Sequence, residues 1–347
     1  MKEKVFALTI LLSLPALAVT LTGTGSSFVF PFLSAAAYYY QGANVQYQAT
    51  GSGAGIVNLL NHLTDFAASD VPMPKNNYCK LLYEGKQVVH VPLVAGAVVV
   101  VYNVPELRGM TLRLNGKVLA DIYLGKVKYW DDPEIKRLQT PQVASRLPHK
   151  PIIAVHRSDA SGTTAVFTTY LSKSSREWAR RIGSGLTVTW PVDRLGRGVG
   201  APKNQGVAAS VSRTPYSIGY VELAYAIQAR LPVAELQNAE GYFVKPTPET
   251  ISAATEGAMK YWVCVLHAPY WFANSLVLAP GRNSYPIVAV PYMIFFRDSP
   301  KLPYLIKFAE YLLSDNIQKN VVRMGYAPLS KALRMEIIKE LNMLMRR

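Results

Sequence analysis

Three times in this chain an apolar, strand-like run breaks into a turn of small and hydroxyl residues and then into a helix-like run. The turns read Gly23-Thr24-Gly25-Ser26-Ser27-Phe28, Thr50-Gly51-Ser52-Gly53-Ala54-Gly55 and Arg157-Ser158-Asp159-Ala160-Ser161-Gly162-Thr163-Thr164. Each places small side chains where the first free N–H groups of a helix point outward, which is where anions bind. Taken singly, each turn is an ordinary helix start. Taken together, with an arginine in one of them, they point to convergence on a single oxyanion.

The spacing around the first two turns gives strand, helix, strand, helix, strand within about 50 residues, the rhythm of a parallel sheet with crossover helices. Val19–Thr22 reads as a strand, and Phe28, Phe32, Ala35, Ala36 and Tyr39 fall at helical spacing, with Pro31 in the first turn. Asn44–Ala49 alternates. Ile56, Leu59, Leu60 and Leu63 mark one face of a second helix, and Asp65–Asp70 is a short strand ending in a carboxylate. Ligands of such sheets bind off the carboxyl ends of the strands, where Ser27, Phe28, Ser52 and Asp70 sit. Further along, Val88–Tyr102 reads as one buried strand, Lys117–Leu124 as a helix and Pro151–His156 as a strand. Thr163–Leu171 with Trp178 reads as a helix, Ser217–Tyr220 as a strand before another helix, and Ile287–Phe296 as a strand. Residues 268–286 read as loop, and Pro303–Leu313 and the tail after Lys331 as helices.

Half of the 347 residues are hydrophobic and 17% are charged, which supports a sizeable core and excludes disorder. The formal net charge of +15 is compatible with nucleic acid, an anionic membrane surface or an anionic small ligand. The basic residues are scattered, and the densest cluster is the short Arg176, Arg180, Arg181, so nucleic acid is disfavoured. Residues 1–18 read as an export signal: Lys2 and Lys4, the apolar Val5–Leu14, then Ala16-Leu17-Ala18 as a cleavage pattern. The alternative is a retained N-terminal anchor. No cysteine near the cleavage pattern supports a lipid anchor. Later apolar runs of ten residues, Leu93–Tyr102 and Ile287–Phe296, are too short to span a membrane. Cys79 and Cys264 can form one disulfide or remain two thiols.

Arg157 suits bidentate contacts to an oxyanion, with Asp159 two residues on to orient it. Ser161 is a good helix cap, and Gly162 lets an anion approach the backbone closely. Asp70 is incongruous among anion donors. A carboxylate only accepts hydrogen bonds, so it fits a ligand that carries a proton, as phosphate does near neutral pH and sulfate does not. The plainer reading is a turn residue before Val71-Pro72. Nucleophilic catalysis has little support: no G-x-S-x-G elbow occurs, and only His156 of the five histidines lies near a Ser-rich turn. The histidines are dispersed, so no metal and no cofactor is expected.

At these turns the chain resembles the phosphate-binding proteins that feed ABC-type phosphate importers. Gly23–Phe28 is similar to that family's G-x-G-[AS]-[ST]-F, Gly51-Ser52-Gly53-Ala54-Gly55 to its G-S-x-G segment, Phe66–Asp70 to its F-[GA]-A-S-D and Arg157–Thr163 to its R-x-D-x-S-G-T. Asp121–Gly125 with Trp130-Asp131-Asp132, and Ile218–Glu222, agree as well, in order over residues 20–230. The resemblance implies an α/β, two-lobed periplasmic-binding-protein fold of type II, with a mixed, mainly parallel sheet in each lobe and the ligand in the cleft between. It implies lobes at 19–94 with 285–347 and at 95–284. It implies phosphate contacts from Ser27, Phe28, Ser52, Asp70, Arg157, Ser161, Gly162 and Thr163, with Asp159 bracing Arg157. The function implied is that of a secreted, monomeric, high-affinity receptor, not an enzyme, delivering inorganic phosphate to an ABC-type permease. The rivals are a binder of sulfate, molybdate, tungstate or arsenate on the same fold, and an exported phosphatase. The segment Asp193–Gln205 looks longer than the family's.

Overall fold

The computed structural model describes residues 19–258 and 276–345. The export-signal segment, Cys264 and residues 268–275 of the expected loop lie outside the described residues, and Cys79 is an exposed free cysteine.

Thirteen strands are described. They are β1 (Thr20–Gly25), β2 (Asn44–Ala49), β3 (Phe66–Ser69), β4 (Val88–Pro92), β5 (Gly96–Asn103), β6 (Arg113–Leu114) and β7 (Ile153–Arg157), then β8 (Gly198–Ala201), β9 (Ser217–Glu222), β10 (Glu235–Gln237), β11 (Phe243–Val244), β12 (Val288–Ala289) and β13 (Tyr292–Phe296). One five-stranded sheet has the order β2-β1-β3-β13-β4, a second has β12-β5-β9-β7-β8, and β11-β10-β6 form a small third. In the first, β1 runs parallel to β2 and β3, while β13 is antiparallel to β3 and β4. In the second, β7 is parallel to β8 and β9, while β5 is antiparallel to β9 and β12. Both sheets are therefore mixed, and the two are the cores of two lobes.

The chain passes between the sheets at two apolar runs. Residues 88–102, expected as one strand, divide into β4 and β5, and residues 287–296 divide into β12 and β13. Proline explains both breaks. Pro92 ends β4 opposite Tyr292, and Pro291, which has no N–H for a ladder, separates β12 from β13. Leu93 N–H donates to the Pro291 carbonyl at 3.0 Å, so the two crossings lie side by side.

The first helix, Phe30–Tyr39, starts two residues later than its spacing predicts. The Ser27 and Phe28 carbonyls are held by tyrosine hydroxyls instead of helical N–H groups. The second helix, Ser52–Leu60, buries Ile56 and Leu59 but ends before Leu63, which is exposed after the left-handed His62. The expected helix through Trp178 is two helices, Gly162–Ser174 and Arg176–Arg181, capped by Ser161 and Ser175. Among the described residues no helix is long and apolar enough to cross a membrane.

Candidate functional site

The first turn leaves the end of β1 in the first sheet. Gly25 has φ of +138° and packs directly on the Ala68 backbone, a conformation and a closeness that suit only glycine there. Ser26, Ser27 and Phe28 follow, all buried. Three tyrosines donate to three successive carbonyls: Tyr47 to Ser26 at 2.8 Å, Tyr225 to Ser27, and Tyr326 to Phe28 at 2.6 Å. In a trans peptide the next N–H points away from the carbonyl, so each of these bonds also fixes the direction of an N–H.

Asp70 follows β3 and is 3% exposed. Ser26 Oγ donates to its Oδ1, and Thr163 Oγ1 donates to its Oδ2 at 3.1 Å. Burial pushes the carboxyl up to about 6; the Ser26 bond, the Arg157 charge and the Thr163 bonds hold it from rising further. Asp70 N–H donates to Ser52 Oγ at 3.3 Å, which ties the second turn to β3. Ser52 opens its helix behind Gly51, whose φ is +94°.

The third turn comes from β7 in the second sheet and faces the other two. Gly53 N–H donates to the Ala160 carbonyl at 3.1 Å. Arg157 is 4% exposed and makes a two-point pair with Asp159, Nε to Oδ1 at 2.8 Å and Nη2 to Oδ2 at 2.6 Å. Burial would raise the Asp159 carboxyl, but the Arg157 hydrogen bond and charge outweigh it and hold the carboxyl below its ordinary value. Arg157 Nη1 and Thr50 Oγ1 are buried and have no hydrogen-bond partner among the described residues. Ser161 Oγ accepts from Thr164 N–H at 3.1 Å and caps the helix. Gly162 lies hard against the other two turns: a Cβ there would lie 2.6 Å from Ser52 Oγ and 2.8 Å from Asp70 Oδ2.

The three turns thus converge from two sheets. Ser27, Phe28, Ser52, Asp70, Arg157, Ser161, Gly162 and Thr163 are all buried, and Asp159 stands behind Arg157. This arrangement offers a protonated oxyanion backbone N–H groups, hydroxyls, one unpaired guanidinium nitrogen and one acceptor carboxylate.

A profile of the PBP superfamily domain matches residues 14–316. The phosphate-binding protein PstS of Methanocaldococcus jannaschii is 43% identical over 307 residues, covering 86% of this chain and 79% of that one. The protein of the same name from Haemophilus influenzae is 38% identical, covering 95% of each. The chain belongs to this PstS family of the PBP superfamily. Its fold also matches the crystal structure of the phosphate-binding protein of Stenotrophomonas maltophilia, with a TM-score of 0.70 at 19% identity, covering 93% and 94% of the two chains.

Within this family frame, sequence reading missed the residues that hold the turns. Ser26 was visible in its motif but carried no assigned role, although it bonds Asp70. Asn204, fully buried, donates to Ser27 Oγ and to Thr163 Oγ1. It falls inside the segment 193–205, whose extra length was the only available signal. His156, the histidine nearest the Ser-rich turn, is engaged elsewhere. Its Nε2 lies 2.7 Å from Asp193 Oδ1, its Nδ1 lies 3.0 Å from the Arg157 carbonyl, and its ring stacks on Trp190.

Proposed function

We propose that the chain is an exported, high-affinity receptor that binds inorganic phosphate and delivers it to an ABC-type membrane importer. The observation that carries this is Asp70, a buried carboxylate set among oxyanion donors and beside Gly162. Above about pH 6 it is ionised and accepts a hydrogen bond from a phosphate hydroxyl. A fully ionised anion would set charge against charge there.

The contacts proposed are the Phe28 N–H, the hydroxyls of Ser27, Ser52 and Ser161, the Gly162 N–H, Thr163, Arg157 and Asp70, with Asp159 bracing Arg157. The lobes are 19–94 with 285–347 and 95–284, with the two-residue β12 reaching from the first segment onto the second sheet. Closing of these lobes buries the ligand and gives the permease a loaded surface to recognise. The protein acts as a monomer and binds no nucleic acid. It is not an enzyme: the nearest histidine is committed to Asp193 and a carbonyl, not to a serine nucleophile.

Calorimetric titration tests this reading. Phosphate binds at micromolar concentration or tighter at pH 8, and sulfate shows no heat. Equal affinity for both anions overturns the role given to Asp70. Arg157→Ala weakens binding by several kcal/mol, on the order of the loss of a buried charged hydrogen-bond partner.

A further inference from the structure

The turn that carries Ser27 and Phe28 belongs to the first sheet, yet two residues of the second sheet's lobe grip it. Asn204 lies in the first turn of the helix Lys203–Arg213, which leads into β9. Its backbone N–H and its Nδ2 both donate to Ser27 Oγ, at 3.1 and 2.9 Å. Tyr225, in the helix Leu223–Gln228 that follows β9, donates to the Ser27 carbonyl.

Each contact has a chemical consequence. A serine hydroxyl has one proton and two acceptor positions. Two N–H groups of Asn204 fill the acceptor positions, so the Ser27 hydroxyl is left only to donate. An oxyanion can only accept, so the grip gives Ser27 the polarity that the ligand needs. The direction of the Asn204 amide is itself set, because its Oδ1 accepts the Glu222 N–H at 2.9 Å and its Nδ2 is shared with Thr163 Oγ1 at 3.2 Å. Tyr225 acts on the next peptide. The Ser27 carbonyl and the Phe28 N–H share one planar group and point in opposite directions, so a donor on the carbonyl orients and polarises that N–H.

We propose that Asn204 and Tyr225 are positioning residues that convert the Ser27–Phe28 turn to its donor state when the lobes close. Both lie across the cleft from the turn, so their contacts form on closure and are absent from the open protein. The proposal rests on the phosphate-receptor reading and adds an order of events: phosphate first meets an open, weakly binding protein, and closure then completes the donors of the first lobe. Tyr47, which holds the neighbouring Ser26 carbonyl from β2 in the same sheet, has no such dependence on closure.

Stopped-flow tryptophan fluorescence and calorimetry on the full chain with inorganic phosphate test this. Tyr225→Phe and Asn204→Ala each raise the dissociation rate constant about tenfold, the scale of one lost hydrogen bond to a charged group. The association rate constant stays within about twofold, because encounter precedes closure. In a Ser27→Ala background, Asn204→Ala adds less than about twofold, because the hydroxyl it orients is gone. A purely structural role would give the same loss with and without that hydroxyl, and that result overturns the proposal. So does a loss carried by the association rate, or wild-type dissociation in both variants with phosphate binding intact. A wild-type chain that binds no phosphate overturns the receptor reading, and this proposal with it. Tyr225→Phe removes a single oxygen, so its melting temperature checks that the fold survives.

Discussion

Asp70 carries two predictions at the scale of a residue. Its carboxyl titrates near 6, so it accepts a hydrogen bond from the ligand above that pH and can donate one below it. Sulfate, rejected at pH 8, should therefore bind at pH 5, with a gain approaching tenfold for each pH unit as pH falls from 8 toward 6 and a plateau below that. Asp70→Asn should bind sulfate at both pH values, and calorimetric titration at pH 5 and 8 reads both outcomes. The same group affects the stability of the phosphate-free protein. A carboxyl raised on folding contributes stability fully present below its unfolded value near 3.8 and lost as pH rises through about 6. Melting temperatures between pH 4 and 7 should accordingly fall less steeply in Asp70→Asn, the difference corresponding to at most about 3 kcal/mol. Parallel profiles would mean that Asp70 is not strained by burial. Asp70 was legible in the sequence because an acceptor among donors is a chemical incongruity within one motif. Asn204 was not, because its partner Ser27 lies 177 positions away and nothing local marks its burial. Tyr225, 198 positions from the same serine, is one of 21 tyrosines with no local sign to separate it from the others.

Elements show the same division between local and distant causes. Turns that end in helices were readable, since Gly/Ser clusters and a cap such as Ser161 are local chemistry. The breaks within residues 88–102 and 287–296 were not read. Val, Ile and Phe fit one long strand as well as two, and the prolines act only through pairing between the two runs. The start of the helix Gly162–Ser174 allows a separation of binding from folding. Gly162→Ala would place a Cβ 2.6 Å from Ser52 Oγ, so the turns of the two lobes cannot meet as they do here. With the lobes apart that Cβ has room, and alanine favours a helix over glycine by up to about 1 kcal/mol. Gly162→Ala should thus lose phosphate affinity by about a hundredfold or more, equivalent to about 3 kcal/mol, while the phosphate-free melting temperature holds or rises. Ser161→Ala should do the converse for stability, lowering it by about 1 kcal/mol through the lost cap. Calorimetry and thermal melts of the two variants separate these effects, and a Gly162→Ala protein with normal affinity would mean that the turns do not close on the ligand.

At the scale of the whole molecule, two sheets joined by paired crossings place the site deep between lobes, so an anion must reach it through the field of the entire surface. The formal net charge is +15, and its basic residues are spread along the chain and not gathered in one patch. Such a field attracts phosphate before any contact and is screened over about 10 Å at 0.1 M salt. The bonds that hold the bound anion are buried and screened far less. Raising salt from about 10 to 200 mM should therefore lower the association rate constant several-fold and leave the dissociation rate constant nearly unchanged. Because the charge is dispersed, no single exposed Lys→Glu change should reproduce that loss; several together, on different faces, should. Stopped-flow measurement across salt concentrations reads both rate constants at once. A salt effect confined to dissociation would place the electrostatic contribution in the site itself, with Arg157, and not in the surface that surrounds it.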